Sequence, residues 1–172
     1  MEGVTEWLPI SSTGHLILLN QFVKLSVSDE FYSMFEVVIQ LGAILAVIVL
    51  FFHKLNPFSG RKSPKEKRQT WDLWFKVIVA VLPSVVLGLL LDDWLDAHLY
   101  NSITVALMLI IYGIAFILIE RRPRVPTTTK LSRITYKQAL IVGAWQVLAL
   151  IPGTSRSGST IIGGLLCGMS RP

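Results

Sequence analysis

Three apolar stretches of this chain are each long enough to cross a membrane. They run over Met34–Phe52, Trp71–Leu91 and Ile103–Ile119, and a transmembrane helix needs about 20 mostly apolar residues. The composition agrees, because 52% of the 172 residues are hydrophobic and the mean hydropathy is +0.60. We therefore predict an all-α integral membrane protein, a polytopic bundle that forms a single membrane domain over residues 1–172.

Two polar segments interrupt the apolar background. PISSTGH runs over Pro9–His15 and PGTSRSGST over Pro152–Thr160, and each is a hydroxyl-rich turn with glycine between apolar residues. Broken backbone and charge at bilayer depth need polar partners that lipid lacks, so we expect both turns to line a polar cavity. We predict two re-entrant segments with broken helices, residues 1–23 and residues 138–169, related as inverted-topology repeats.

The basic residues are concentrated in two segments. Of the 16 Lys and Arg, 12 lie in His53–Thr70 and Glu120–Lys137, whereas the connector Asp92–Ser102 has three Asp and neither Lys nor Arg. Cytoplasmic loops of membrane proteins carry such an excess of positive charge. The pattern indicates orientation rather than a nucleic-acid partner, and it places both polar turns toward the outer face of the membrane.

Glu2 and Glu6 precede the first polar turn and are four residues apart. On a helix both carboxylates project from one face, where they repel unless a proton or a cation lies between them. Oxygen ligands of this kind suit Mg²⁺ or Ca²⁺. The alternative is a solvated start of a helix.

Hydroxyl groups dominate the first turn. Ser12 is the candidate nucleophile, with His15 or one of the glutamates as its base, and Ser11 and Thr13 are candidates for binding phosphate. For each hydroxyl taken alone, capping of the following helix is the competing interpretation.

Arg156 lies in the second turn, before an expected half-helix over Thr160–Met169. Helix N-termini bind anions, and a guanidinium can hold two phosphate oxygens at once. The competing interpretation is an interfacial arginine that reaches the lipid headgroups. Together the two turns predict a site that handles phosphate and holds a metal ion.

Glu36 and Gln40 lie one helical turn apart near the outer end of the first span. They are either partners of the site or interfacial residues, and the sequence leaves both interpretations open.

The chain resembles the bacterial undecaprenyl-pyrophosphate phosphatase family, the bacitracin-resistance type. The matching segments are EGVTEWLPISSTGHLIL at Glu2–Leu18, FEVVIQLGAILAV at Phe35–Val47 and PGTSRSGSTI at Pro152–Ile161. The resemblance implies a membrane fold with inverted repeats and two re-entrant helical hairpins. It also implies an enzyme of the bacterial inner membrane that removes the terminal phosphate of undecaprenyl pyrophosphate at the outer face. That reaction recycles the lipid carrier for peptidoglycan synthesis and confers bacitracin resistance.

The resemblance further implies roles for residues of both motifs. The first motif supplies acidic residues, a nucleophile and a histidine, and the second supplies groups that bind phosphate. The residues implied are the acidic pair Glu2 and Glu6, the nucleophile Ser12, the motif histidine His15, the phosphate-binding Arg156, and the hydrogen-bond donors to phosphate Ser155, Ser157 and Thr160. Members of the family are longer, so we expect a spanning helix before Glu2 and several after Pro172.

The sequence suggests three candidate functions. The first is a phosphatase for a polyprenyl pyrophosphate lipid, with either Ser12 or a carboxylate-activated water as nucleophile. The second is a transporter or flippase for a polyprenyl phosphate, because paired broken helices are transporter architecture. The third, a non-catalytic membrane module, does not explain why Glu, His and Arg cluster in broken segments. A homodimer is left open.

Overall fold

The structure is a computed structural model that describes residues 2–23, 27–121 and 125–170. Met1, residues 122–124 of the second basic segment, and residues 171–172 lie outside the described residues, as do residues 24–26. Within the described ranges the chain is helical and has no β-strand, apart from one isolated parallel bridge between Thr128 and Met169. The helices are α1 (Glu2–Thr5), α2 (Ser12–Asn20), α3 (Asp29–Leu50), α4 (Phe52–Leu55), α5 (Pro64–Leu99), α6 (Ser102–Glu120), α7 (Tyr136–Gln146) and α8 (Arg156–Leu166), with 3₁₀ turns at Leu131–Arg133 and Val147–Leu150.

Three of these helices, α3, α5 and α6, are long and apolar enough to cross a membrane. Each begins at a side-chain cap: Ser28, Ser63 and Asn101 accept a hydrogen bond from the backbone N–H three residues later. The predicted spans fall on these helices, although α3 ends at Leu50, two residues before the predicted end. Helix α5 is longer than the predicted span at both ends, because a capping box of Ser63 and Glu66 starts it well within the basic segment.

The apolar side chains of these helices face outward. In their most apolar windows only 0%, 6% and 6% of residues are buried, and Leu89 of α5 is 82% exposed. A water-soluble protein does not expose apolar surface on this scale, whereas lipid chains cover it without cost. The prediction of an all-α membrane protein is confirmed.

Helix α7 lies between α5 and α8, and small residues set both contacts. A Cβ atom on Gly143 would lie 2.7 Å from the carbonyl carbon of Ala80 on α5. A Cβ atom on Gly163 of α8 would lie 2.8 Å from Cβ of Trp145. Close approach of backbones at glycine is the usual way in which helices pack within membranes.

A polar cluster joins α5 to the start of α7. Lys76 forms an ion pair with Asp72 one turn earlier, and the Tyr136 hydroxyl donates to the other Asp72 oxygen at 3.0 Å. The Lys76 ammonium also lies 5.5 Å from the centre of the Tyr136 ring. Lys76 is buried, so the carboxylate and the ring together compensate for its lost hydration.

Both predicted re-entrant segments consist of two helical pieces that are separated by a turn. In the first, α1 and α2 flank residues 6–11; in the second, α7 and its 3₁₀ extension precede a turn at residues 151–155 and then α8. The breaks coincide with the two polar sequence motifs. The inverted-topology relation between the two segments stays a prediction.

Candidate functional site

Serine caps the helix that follows each polar turn. Ser11 Oγ accepts a hydrogen bond from Gly14 N at 3.2 Å, and Ser155 Oγ accepts one from Gly158 N at 3.1 Å. An alignment of Pro9 with Pro152 would instead pair Ser12 with Ser155. By their capping hydrogen bonds Ser11 corresponds to Ser155, although their backbones differ: φ is 61° at Ser11 and −73° at Ser155.

The two turns contact each other through glycine. A Cβ atom on Gly14 would lie 3.1 Å from Cα of Gly153, and a Cβ atom on Gly158 would lie 3.3 Å from the carbonyl oxygen of Pro9. Gly153 has a φ of 88° and its missing side chain leaves room for the backbone of Val105 on α6. The two motifs therefore lie close together, and polar residues of both face one space.

That space is a cavity of about 670 Å³. Helices α3 and α5 supply one side of it, and the two polar turns supply the other. The residues of the predicted site that line it are Glu6, Ser11, Ser12, Thr13, Ser155, Arg156 and Ser157.

Ser12 and Glu6 are hydrogen-bonded within this cavity. Ser12 is the first residue of α2, its side chain is buried, and its hydroxyl donates to Oε2 of Glu6. A hydroxyl that already donates to a carboxylate has a proton acceptor in place for nucleophilic attack. Glu6, rather than His15, is the base that this geometry offers to Ser12.

Arg156 is the first residue of α8, and its side chain is exposed at the cavity. Within the described ranges no hydrogen-bond or ion-pair partner holds its guanidinium. The positive end of the α8 dipole adds to its charge, and the capping Ser155 hydroxyl lies 3.0 Å from that of Ser157. Arginine, hydroxyls and a helix N-terminus at one place form an anion-binding surface.

Three residues of the predicted site, Glu2, His15 and Thr160, do not line this cavity. Glu2 lies against α3 in a neighbouring space, with both carboxylate oxygens buried and without a hydrogen-bond partner in the described ranges. Nδ1 of His15 donates to the carbonyl of Ser11 at 2.8 Å, and its ring lines a second, mainly apolar cavity of about 360 Å³. The Thr160 hydroxyl is used by its own helix, because it donates to the Ser157 carbonyl at 2.9 Å.

Comparisons with known proteins agree with the motifs. A family model described as Bacitracin resistance protein BacA matches residues 1–172. The chain belongs to this family. Proteins named undecaprenyl-diphosphatase are 65% identical to it in Enterococcus faecalis, 58% in Streptococcus thermophilus and 57% in Limosilactobacillus fermentum, each over 99% of the chain. The chain spans 63%, 60% and 63%, respectively, of the lengths of these relatives.

Four cavity residues of this BacA family member were missed or left undecided by the sequence. Glu36 and Gln40 of α3 both line the cavity, which places them at the site rather than at the lipid interface. Asp96 lies in the last turn of α5 and Tyr100 directly follows that helix, in a segment where the sequence had indicated only membrane orientation. Desolvation, reinforced by the Glu36 and Asp96 carboxylates, raises the pKa of the Tyr100 hydroxyl still further above neutral pH, where a tyrosine is already a hydrogen-bond donor.

Thr154 is a further missed residue, although it belongs to the second motif. Its side chain is 6% exposed and lines the cavity, and within the described ranges its hydroxyl has no hydrogen-bond partner. The hydroxyl-rich composition of the motif was the signal that could have found it.

The metal expected at Glu2 and Glu6 stays a prediction. Among the described residues no group of three or more His, Cys, Asp or Glu side chains is arranged to hold a metal ion. Neither buried oxygen of Glu2 has a hydrogen-bond partner among these residues, and the carboxylate lies close enough to Glu6 for the two charges to repel. A buried carboxylate without a donor is costly unless a proton or a cation neutralises it, so the donor set fits a hard divalent ion.

Proposed function

We propose that the intact protein hydrolyses undecaprenyl pyrophosphate to undecaprenyl phosphate and inorganic phosphate, and so recycles the lipid carrier for peptidoglycan synthesis. The observation that carries this proposal is the Ser12–Glu6 hydrogen bond in a cavity that also presents Arg156. A nucleophile, its base and an anion-binding group in one space are what phosphoryl transfer requires. The names of the relatives in the family support the same substrate.

In the proposed reaction the terminal phosphate lies between Arg156 and Ser12. Arg156, the start of α8 and the Ser155 and Ser157 hydroxyls bind its oxygens. The Ser12 oxygen attacks phosphorus while Glu6 accepts the hydroxyl proton, and the bond from phosphorus to the bridging oxygen breaks. Undecaprenyl phosphate departs with the bonding electron pair and takes up the proton from Glu6.

A second step restores the enzyme. Glu6 removes a proton from water, whose oxygen attacks the phosphoserine. The phosphorus–oxygen bond to Ser12 breaks, inorganic phosphate leaves, and the Ser12 oxygen recovers a proton from Glu6. A direct route uses the same residues: Glu6 activates water, and Ser12 only donates a hydrogen bond. Mutation of Ser12 distinguishes the two routes.

Glu2 and Glu6 are the residues that would hold Mg²⁺ or Ca²⁺. When bound, such an ion supplies positive charge that neutralises pyrophosphate oxygens. Three carboxylates, Glu6, Glu36 and Asp96, line the cavity beside the single guanidinium of Arg156. A cation would offset their repulsion of an anionic substrate.

We also propose that the cavity opens to the outer side of the bacterial plasma membrane. The basic segment precedes and begins α5, whereas the cavity residues Asp96 and Tyr100 lie at its opposite end. Positive charge favours the cytoplasmic side, so the cavity end lies outside. A cysteine introduced at Ala97 should react with a membrane-impermeant maleimide added to intact cells; reaction only after lysis would reverse the orientation.

The experiment that tests the activity is phosphate release from undecaprenyl pyrophosphate by the intact protein in detergent, with and without Mg²⁺ or Ca²⁺. We expect release that depends on the divalent ion and is lost in Arg156→Ala. Absence of release by a folded protein under every ion would favour a carrier that binds the lipid headgroup without cleaving it.

A further inference from the structure

A side-chain hydrogen bond links the first polar turn to the first long helix. Nε2 of Gln40 on α3 donates to Oγ1 of Thr13, the second residue of α2, at 3.2 Å. Both residues are half-buried and both line the cavity that contains Ser12 and Arg156. The family resemblance assigns no role to Gln40.

The direction of this hydrogen bond decides what the Thr13 hydroxyl can do. A hydroxyl has one proton to donate and lone pairs that accept, whereas the nitrogen of an amide side chain only donates. Because the Gln40 nitrogen occupies a lone pair of the Thr13 oxygen, the Thr13 proton is free to point elsewhere. Within the described ranges the Thr13 hydroxyl donates to no other group. A phosphate oxygen can only accept, and a hydroxyl that is held as a donor matches it.

We propose that Gln40 is a positioning residue that holds the Thr13 hydroxyl as a hydrogen-bond donor toward a pyrophosphate group in the cavity. This inference deepens the proposed function and rests on it for the identity of the ligand. Gln40 acts through Thr13, and its effect is therefore expected in substrate binding more than in the chemical step.

The chain contains a matched control for this hydrogen bond. Nε2 of Gln21 donates to the Ser102 hydroxyl, also at 3.2 Å, and this bond links the residue after α2 to the start of α6. Neither Gln21 nor Ser102 lines the cavity. If the Gln40 bond only ties two helices together, its removal should resemble removal of the Gln21 bond.

The test uses the intact protein in detergent with the variants Gln40→Met, Thr13→Val, the double variant and Gln21→Met. The probes are undecaprenyl pyrophosphate for turnover and inorganic pyrophosphate for ligand-induced thermal stabilisation. We expect Gln40→Met to raise KM roughly tenfold with a much smaller change in kcat, as loss of one hydrogen bond to a charged ligand predicts. In the Thr13→Val background Gln40→Met should cause no further rise, and Gln21→Met should leave KM unchanged.

Additive effects of Gln40→Met and Thr13→Val on KM would overturn the inference, as would equal effects of Gln40→Met and Gln21→Met. Gln40→Glu guards against a folding defect, because the Thr13 hydroxyl can still donate to the new carboxylate and preserve the link between helices. We expect Gln40→Glu to keep the wild-type melting temperature yet bind inorganic pyrophosphate more weakly. In the Thr13→Val background, the same Gln40→Glu change should weaken pyrophosphate binding by a smaller factor. If inorganic pyrophosphate stabilises the wild-type protein but no phosphate is released, the proposed function alone is refuted. If pyrophosphate does not stabilise the wild-type protein, the Gln40 inference is refuted.

Discussion

Ser12 and Arg156 hold the same position in two chemically different turns. Each is the first residue of its helix, each directly follows a capping serine, and both line one cavity. These matching positions bring a hydroxyl that is hydrogen-bonded to Glu6 into the same cavity as an exposed guanidinium. The proposed reaction needs the Ser12 oxygen in line with the leaving group and Arg156 on the other oxygens of the same phosphate, and one shared cavity gives both side chains access to that phosphate.

Ser12→Ala tests whether the reaction passes through a phosphoserine. The change removes the nucleophile and the hydrogen bond to Glu6 without adding volume. We expect kcat for phosphate release to fall by at least about 10³-fold, as in other enzymes that lose their nucleophile. Near-normal turnover would show that water is the nucleophile and that Ser12 only donates a hydrogen bond.

Arg156→Lys tests whether the second turn needs a guanidinium or only a positive charge. Lysine keeps the charge but cannot bind two phosphate oxygens in one plane. We expect kcat/KM to fall by about 10- to 100-fold, which corresponds to one lost charge-assisted hydrogen bond. The melting temperature should be unchanged, because the guanidinium has no hydrogen-bond or ion-pair partner in the described part of the chain. Arg156→Lys with wild-type kcat/KM would show that a positive charge alone is sufficient at this position.

Apolar length was sufficient to predict the three long helices. An isolated run of about 20 apolar residues has few other stable states, so α3, α5 and α6 follow from local sequence. The broken segments were also visible, because proline, glycine and hydroxyls are costly in a continuous membrane helix. Helix ends were less predictable: the capping box at Ser63 extends α5 into a charged region that hydropathy alone assigns to a loop.

Only those cavity residues that lie in or just before the two polar motifs could be predicted from the sequence. Ser12 and Arg156 could be assigned to one site because each lies in a polar motif, whereas the sequence did not show that Glu2 lines a neighbouring space while its carboxylate stays close to that of Glu6. Asp96 and Tyr100 reach the cavity through the packing of the end of α5, which depends on residues far away in the sequence. The sequence also could not predict the position of the His15 ring, because a local hydrogen bond to the Ser11 carbonyl orients it.

Gly143→Ala tests the packing of α7 on α5. The new methyl group would overlap the Ala80 backbone, 2.7 Å from its carbonyl carbon, and backbone atoms of a helix cannot move aside as a side chain can. We expect destabilisation of about 1–3 kcal/mol and a melting temperature several degrees lower in detergent. Gly42→Ala is the control, because no atom lies within 4 Å of its added Cβ, and alanine favours helix. Equal melting temperatures of the two variants would contradict this packing.

Thr154→Val separates binding from stability at the cavity wall. The Thr154 hydroxyl is buried and has no hydrogen-bond partner in the described ranges, so it destabilises the protein by about 1–3 kcal/mol unless a ligand accepts its proton. Valine has nearly the same shape without the hydroxyl. We expect the melting temperature of the ligand-free protein to rise by a few degrees and KM for undecaprenyl pyrophosphate to rise severalfold. Ser84→Ala is the matched control, because the Ser84 hydroxyl is also buried without a partner in the described part of the chain but does not line the cavity. That variant should gain stability with no change in KM, and a Thr154→Val protein that melts earlier than wild type would show that the hydroxyl already has a partner.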